Sequence, residues 1–254
     1  MDRRAVLPAY LGAFAVAEVL GLVFGAAFGA LLYALLLVLL LAHYIVGEQL
    51  PYRRMLPVLA LLPLLRLLSL AMPVRQLPMI FWHALIGAPL LLAVWLAVRL
   101  LGLHPTDLGL RRASAWRQVL IAASGIPLSV AGYLVLRPQP PIPAFSLPWV
   151  SGGAVILFVF SGFVEELLFR GLLQRVAGEI FGRAALLYSA AAFVVLYTGS
   201  SSLGYLLLIS LTGLFFGWCV ERTGAIWGVT AAHGLMLAGM ALLWPYTWLG
   251  SHTI

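Results

Sequence analysis

Two adjacent carboxylates and an arginine four residues further on stand near the end of an apolar run, Gly162-Phe163-Val164-Glu165-Glu166-Leu167-Leu168-Phe169-Arg170-Gly171. At membrane depth an ionisable side chain costs about 2.5–3.5 kcal/mol on insertion scales, so each of these residues needs a partner or a task. Glu166 and Arg170 have the i, i+4 spacing, acid first, that favours a salt bridge along a helix. Glu165 is five residues from Arg170 and points roughly 100° away from Glu166. The pairing expected is therefore Glu166 with Arg170, leaving Glu165 to face the bundle interior. A carboxylate in that position can act as a general base and take a proton from water. Spacing alone leaves a second arrangement open, in which both glutamates lie at the inner membrane interface, solvated and paired with Arg170 and Arg175.

The elements that must position these groups are helices in lipid. Of the 254 residues, 63% are hydrophobic and 9% charged, fractions far from those of water-soluble domains. Nine apolar spans are predicted, at 6–26, 27–46, 55–72, 78–101, 117–136, 149–169, 184–199, 203–221 and 226–245. The class is all-α, a polytopic transmembrane bundle of about eight or nine spans, because helices satisfy their own backbone groups in a bilayer. Gly25 to Gly29 marks either a tight turn between the first two spans or a bend in one helix.

All 15 basic residues are arginine and the net charge is +7. Their scatter in short connecting stretches points to membrane topology and not to nucleic acid. With the N-terminus inside, Arg3, Arg4, Arg53, Arg54, Arg111, Arg112, Arg117, Arg175, Arg183 and Arg222 lie on the inner side, and Arg75 and Arg137 lie outside. The expected location is the plasma membrane, with a cytoplasmic N-terminus and a retained first helix. Two loops divide the chain into N-terminal helices, 1–116, a C-terminal module, 117–246, and a tail, 247–254. The inner loop, Leu103 to Trp116, has room for a short turn beginning at Thr106 or Asp107. The outer loop, 137–143, is too rich in proline for helix.

The module also carries Gly213-x-x-x-Gly217, Arg222-Thr223-Gly224-Ala225-Ile226-Trp227 and Ala232-His233. With Glu-Glu-x-x-x-Arg-Gly, this ordered set resembles the CAAX protease and bacteriocin-processing family, also called ABI, from near 120 to near 245. The resemblance implies an intramembrane endopeptidase acting on a membrane-anchored or lipidated peptide or protein. It makes Glu165 the residue that activates water and His233 the one that assists, with Glu166 and Arg170 as the supporting pair. Two positions depart from the family pattern. Phe193-Val194-Val195-Leu196-Tyr197 ends in tyrosine where histidine is expected, and His233-Gly234-Leu235-Met236-Leu237 ends in leucine where asparagine or aspartate is expected. A phenol, with an ordinary pKa of about 10, is a poor base at neutral pH. A leucine offers no hydrogen bond.

No cofactor is expected. A catalytic zinc wants three protein ligands, and the region offers Glu165, His233 and little else, while His43, His83, His104 and His252 fall in other segments. The lone Cys219 excludes a disulfide framework or a cysteine-based zinc cluster. Among the remaining intramembrane polar residues, Glu18, Arg66 and His83 can line a substrate path, or Glu18 and Arg66 can pair across helices. Alternatively Arg66 snorkels and Glu18 is protonated, and His83 reads as a satisfied core histidine. Gly213 and Gly217 fit close helix packing. Trp82, Trp227, Trp244, Tyr246 and Trp248 fit interfacial anchoring. Three functions remain open: the protease, a catalytically silent relative serving as scaffold or immunity factor, and a small transporter using Glu18, Arg66 and Glu165.

Overall fold

The computed structural model describes residues 5–71, 77–198 and 202–247. Arg3, Arg4, Arg75, Trp248, His252 and the tail beyond 247 lie outside the described residues. The helices run α1 (Val6–Phe24), α2 (Ala26–Val46), α3 (Met55–Leu70), α4 (Ile80–Leu100), α5 (Ala115–Ala123), α6 (Gly125–Leu136), α7 (Leu147–Ile156), the single turn α8 (Val164–Glu166), α9 (Gln174–Phe181), α10 (Ala185–Val195), α11 (Leu203–Thr223) and α12 (Trp227–Ala238). No strand occurs among the described residues. Seven helical stretches are long and apolar enough to cross a membrane, and α3 is a shorter apolar helix beside them, in keeping with an integral membrane bundle of eight or nine spans.

Length and burial sort these helices by role. A 21-residue helix such as α2 rises 1.5 Å per residue and so covers a hydrocarbon core of about 30 Å. Its outward side chains, Leu31, Leu35, Val38 and Leu39, are exposed and face lipid, as apolar residues do when lipid is the solvent. The 16 residues of α3 are too few for that span, but Met55 to Pro63 are buried without interruption. A helix apolar on every face belongs inside a bundle, and α3 packs between α2 and α4.

Gly25, at φ 98°, breaks the first apolar stretch into two helices. The alternative of one bent helix is thereby ruled out, since the left-handed region is open to glycine at little cost. The inner loop folds as a single 3₁₀ turn, Pro105–Leu108. It begins at Pro105 instead of Thr106 or Asp107, and the Asp107 carboxylate accepts from the His104 amide at 2.9 Å. Residues 137–146 form no helix, as their prolines require.

Arg54 bonds Glu179 at 2.9 Å, Arg175 bonds the same carboxylate at 3.4 Å, and Arg111 donates to the Gly224 carbonyl at 2.7 Å. Arg111, Arg175 and Arg183 also line one surface cavity. One end of the bundle thus gathers the arginines expected on a common side.

The feature that matters most for the site is absent from any periodicity argument. Residues Leu157–Phe163 and Leu167–Leu173 are π-helical and enclose α8 between them. Each π segment bonds i to i+5, a conformation that is rare and often found where a helix must re-aim functional side chains. Opposite it, α12 approaches to backbone contact. A Cβ on Gly162 would stand 3.0 Å from the Gly234 amide nitrogen, and one on Gly234 would stand 2.4 Å from the Phe158 ring. Gly234→Val is expected to destabilise the fold by about 1–3 kcal/mol through overpacking. A thermal melt of the detergent-solubilised protein checks this, and an unchanged midpoint would contradict the close approach.

Candidate active site

The acidic pair sits where the two π segments meet, and the two carboxylates have different surroundings. Glu166 is fully buried. Its Oε1 accepts from Arg170 Nη1 at 3.1 Å and from His233 Nδ1 at 2.8 Å, while its Oε2 has no partner among the described residues. Arg170 in turn reaches the Gly213 carbonyl at 3.4 Å and lies over the Phe193 ring, 4.6 Å from its centroid. The solvated interfacial arrangement is therefore excluded for Glu166 and Arg170, and Arg175 pairs with Glu179 instead.

Glu165 faces a different space. Tyr197, two residues past the end of α10, donates its hydroxyl to Glu165 Oε2 at 3.0 Å. Both line a cavity of about 210 Å³ whose wall also includes Arg66, Ser69, His83 and Ser161. That volume holds several waters or one medium-sized side chain, taking ~30 Å³ per water. The apolar part of the wall comes from Leu65, Ile86, Leu90, Phe160 and Leu196.

The structure brings all five predicted site residues into one region but in two subsets. Glu165 and Tyr197 meet at the cavity; Glu166, Arg170 and His233 form a sealed cluster behind it. His233 is bonded to Glu166 and is not among the cavity-lining residues. Leu237, at the position where the family pattern has asparagine, packs in a separate apolar cluster with Ile80, Ile142, Leu157 and Leu242. Gly213 and Gly217 serve close packing of a particular kind, because their bare carbonyls accept from Arg170 at 3.4 Å and Gln174 at 3.1 Å.

The sequence offers His83 as a path-lining residue or a core histidine, and the structure puts it at this cavity; Ser161 and Ser69 were not foreseen there. Ser161 precedes Glu165 by one helical turn, which is a usable signal, but nothing in the sequence says which face of α4 adjoins the acidic helix. Arg66 was open to several readings, and the structure selects one. It forms a two-pronged ion pair with Glu18, Nη2 to Oε2 at 2.8 Å and Nε to Oε1, and Tyr33 donates to the same carboxylate at 2.5 Å. Arg66 therefore does not snorkel. The pair ties α1, α2 and α3 together at the edge of the site.

Among the described residues no three His, Cys, Asp or Glu side chains lie close enough to hold a metal ion. The nearest His and Glu, His233 and Glu166, are already bonded to each other.

Fold and site together define a membrane-embedded helical bundle with a carboxylate at a cavity and a buried Glu-Arg-His cluster behind it. Residues 147–247 match the family model described as Rce1-like, type II CAAX prenyl endopeptidase Rce1-like. The matched segment runs from α7 to the end of the described chain and takes in the stretch whose motifs carry the resemblance, and the match supports an intramembrane protease. The match covers less than half of the chain, and α1 to α6 precede it. No curated protein and no solved structure matches the chain.

Proposed function

We propose that the protein is an intramembrane endopeptidase that hydrolyses a peptide bond of a membrane-associated or lipidated substrate with water activated by Glu165. The observation that carries this reading is that the Glu165 carboxylate, in the segment matched by the protease-family model, opens on a cavity. Glu165 takes one proton from water as the water oxygen bonds to the peptide carbonyl carbon. The carbon–nitrogen bond then breaks and that proton passes to the departing amine. Tyr197, hydrogen-bonded to Glu165, orients the carboxylate. Glu166 and Arg170 brace its helix, and His233 assists from the Glu166 side of the site. No metal takes part in these steps. The protein is placed in the plasma membrane with its N-terminus in the cytoplasm, a topology consistent with the arginine-rich end described above.

The test is cleavage of a panel of prenylated and otherwise membrane-anchored peptides by the full chain in liposomes, with products identified by mass. Failure to cut any of them would reject the proposal.

A second reading has its own support. Tyr197 stands in place of a histidine, and Leu237 offers no polar atom to the site, so a catalytically silent scaffold or immunity protein is the competing function. Tyr197→His combined with Leu237→Asn separates the two. On the silent reading the double variant gains cleavage from a background of none. On the protease reading the parent already cuts, and the double variant changes its rate by less than the roughly 10²-fold a lost general base produces.

A further inference from the structure

We propose that His83 is a second acid-base residue of this site, supplying from α4 the imidazole that the chain lacks at Tyr197; the inference rests on the endopeptidase reading. Gly87 brings α4 against the acidic helix so closely that a Cβ there would stand 2.4 Å from the Phe160 carbonyl oxygen. One turn earlier on the same face, His83 Nδ1 is hydrogen-bonded to Ser161 Oγ at 2.7 Å. Ser161 lies one turn before Glu165, and all three line the same cavity with Tyr197.

A histidine that donates Nδ1–H to a neighbour has its ring orientation set and an unprotonated Nε2 free to accept a proton, which is the tautomer this role requires of His83. Among the described residues no protein partner engages His83 Nε2. By contrast His233 is buried against Glu166, and Tyr197 is a poor proton carrier near neutral pH. In the hydrolysis, Glu165 takes a proton from water while the oxygen–carbon bond forms. As the carbon–nitrogen bond breaks, His83 Nε2 accepts that proton from Glu165 and delivers it to the departing amine nitrogen, which leaves both residues as they began. The product acid keeps the second hydrogen of the water.

The experiment uses the full chain in liposomes with the peptide panel described above, comparing the parent, Glu165→Gln, His83→Gln and Ser161→Ala. His83→Gln is expected to lower kcat about 10²-fold with KM within about twofold and to remove one limb of the pH–rate profile. Adding Tyr197→His to His83→Gln should recover at least about tenfold. Ser161→Ala, which leaves the imidazole in place but frees its ring, should lower kcat about tenfold, and it carries the test if His83→Gln does not fold. Parent-like kcat and pH profile in His83→Gln, or parent-like kcat in Ser161→Ala if the former is unfolded, would overturn the role of His83 while inactive Glu165→Gln left the endopeptidase standing. No cleavage by the parent would overturn both.

Discussion

Glu165→Gln should abolish measurable proteolysis while leaving the protein folded, with kcat reduced by about 10²–10⁴-fold, the range a positioned general base contributes. The substitution keeps the shape of the side chain and its hydrogen bond with the Tyr197 hydroxyl, observed at 3.0 Å. It removes the ability to take a proton from water. Because Glu165 opens on the cavity and is not part of the Glu166-Arg170-His233 cluster, the melting temperature should stay within a few degrees of the parent. The fall should be in kcat, with KM little altered, since a group that acts on water contributes chiefly in the transition state. Cleavage of any panel peptide at the parental rate by Glu165→Gln would remove this carboxylate from the reaction. If Tyr197→Phe, which loses only the orienting hydroxyl, were as damaging as Glu165→Gln, the assignment of base and helper would have to be exchanged.

The helical bundle and the pairing of Glu166 with Arg170 could be read from residue order, because both depend on local physics. Hydropathy over about 20 residues sets a membrane helix, and i, i+4 spacing brings an acid and a base together whatever the tertiary fold. The turn at Gly25 is not decided by residue order, because a glycine-containing stretch fits a break or a bend equally well until its φ is known. The π segments at Leu157–Phe163 and Leu167–Leu173 were not legible, since no composition distinguishes i to i+5 bonding from the α-helix in an apolar run. The partner of His233 and the place of His83 were hidden for a different reason. Each depends on which helices are neighbours, a long-range property settled by backbone contacts at Gly162, Gly234 and Gly87 that the sequence shows only as glycines.

Arg170→Leu should be the most destabilising single change in the domain, by about 3–5 kcal/mol, the range found when one partner of a buried ion pair is removed. Both side chains are essentially inaccessible, at 1% for Arg170 and 0% for Glu166. Glu166 already has one oxygen without a partner among the described residues, so losing Arg170 leaves its charge with His233 alone. The arginine also fills the space between Phe193, Phe216 and Phe169 and donates to the Gly213 carbonyl. Leucine preserves some of that apolar contact, which makes the lost charge the dominant effect. Replacing both partners, Glu166→Leu with Arg170→Leu, takes away the orphaned charge as well as the pair. That double variant should therefore be more stable than the sum of the two single effects, by about 1 kcal/mol or more. Chemical or thermal unfolding in detergent of the four proteins of this cycle gives the coupling directly. Additive single effects would mean that Glu166 and Arg170 are held by their helices independently, and that the sealed cluster behind Glu165 does not brace the Glu165 carboxylate.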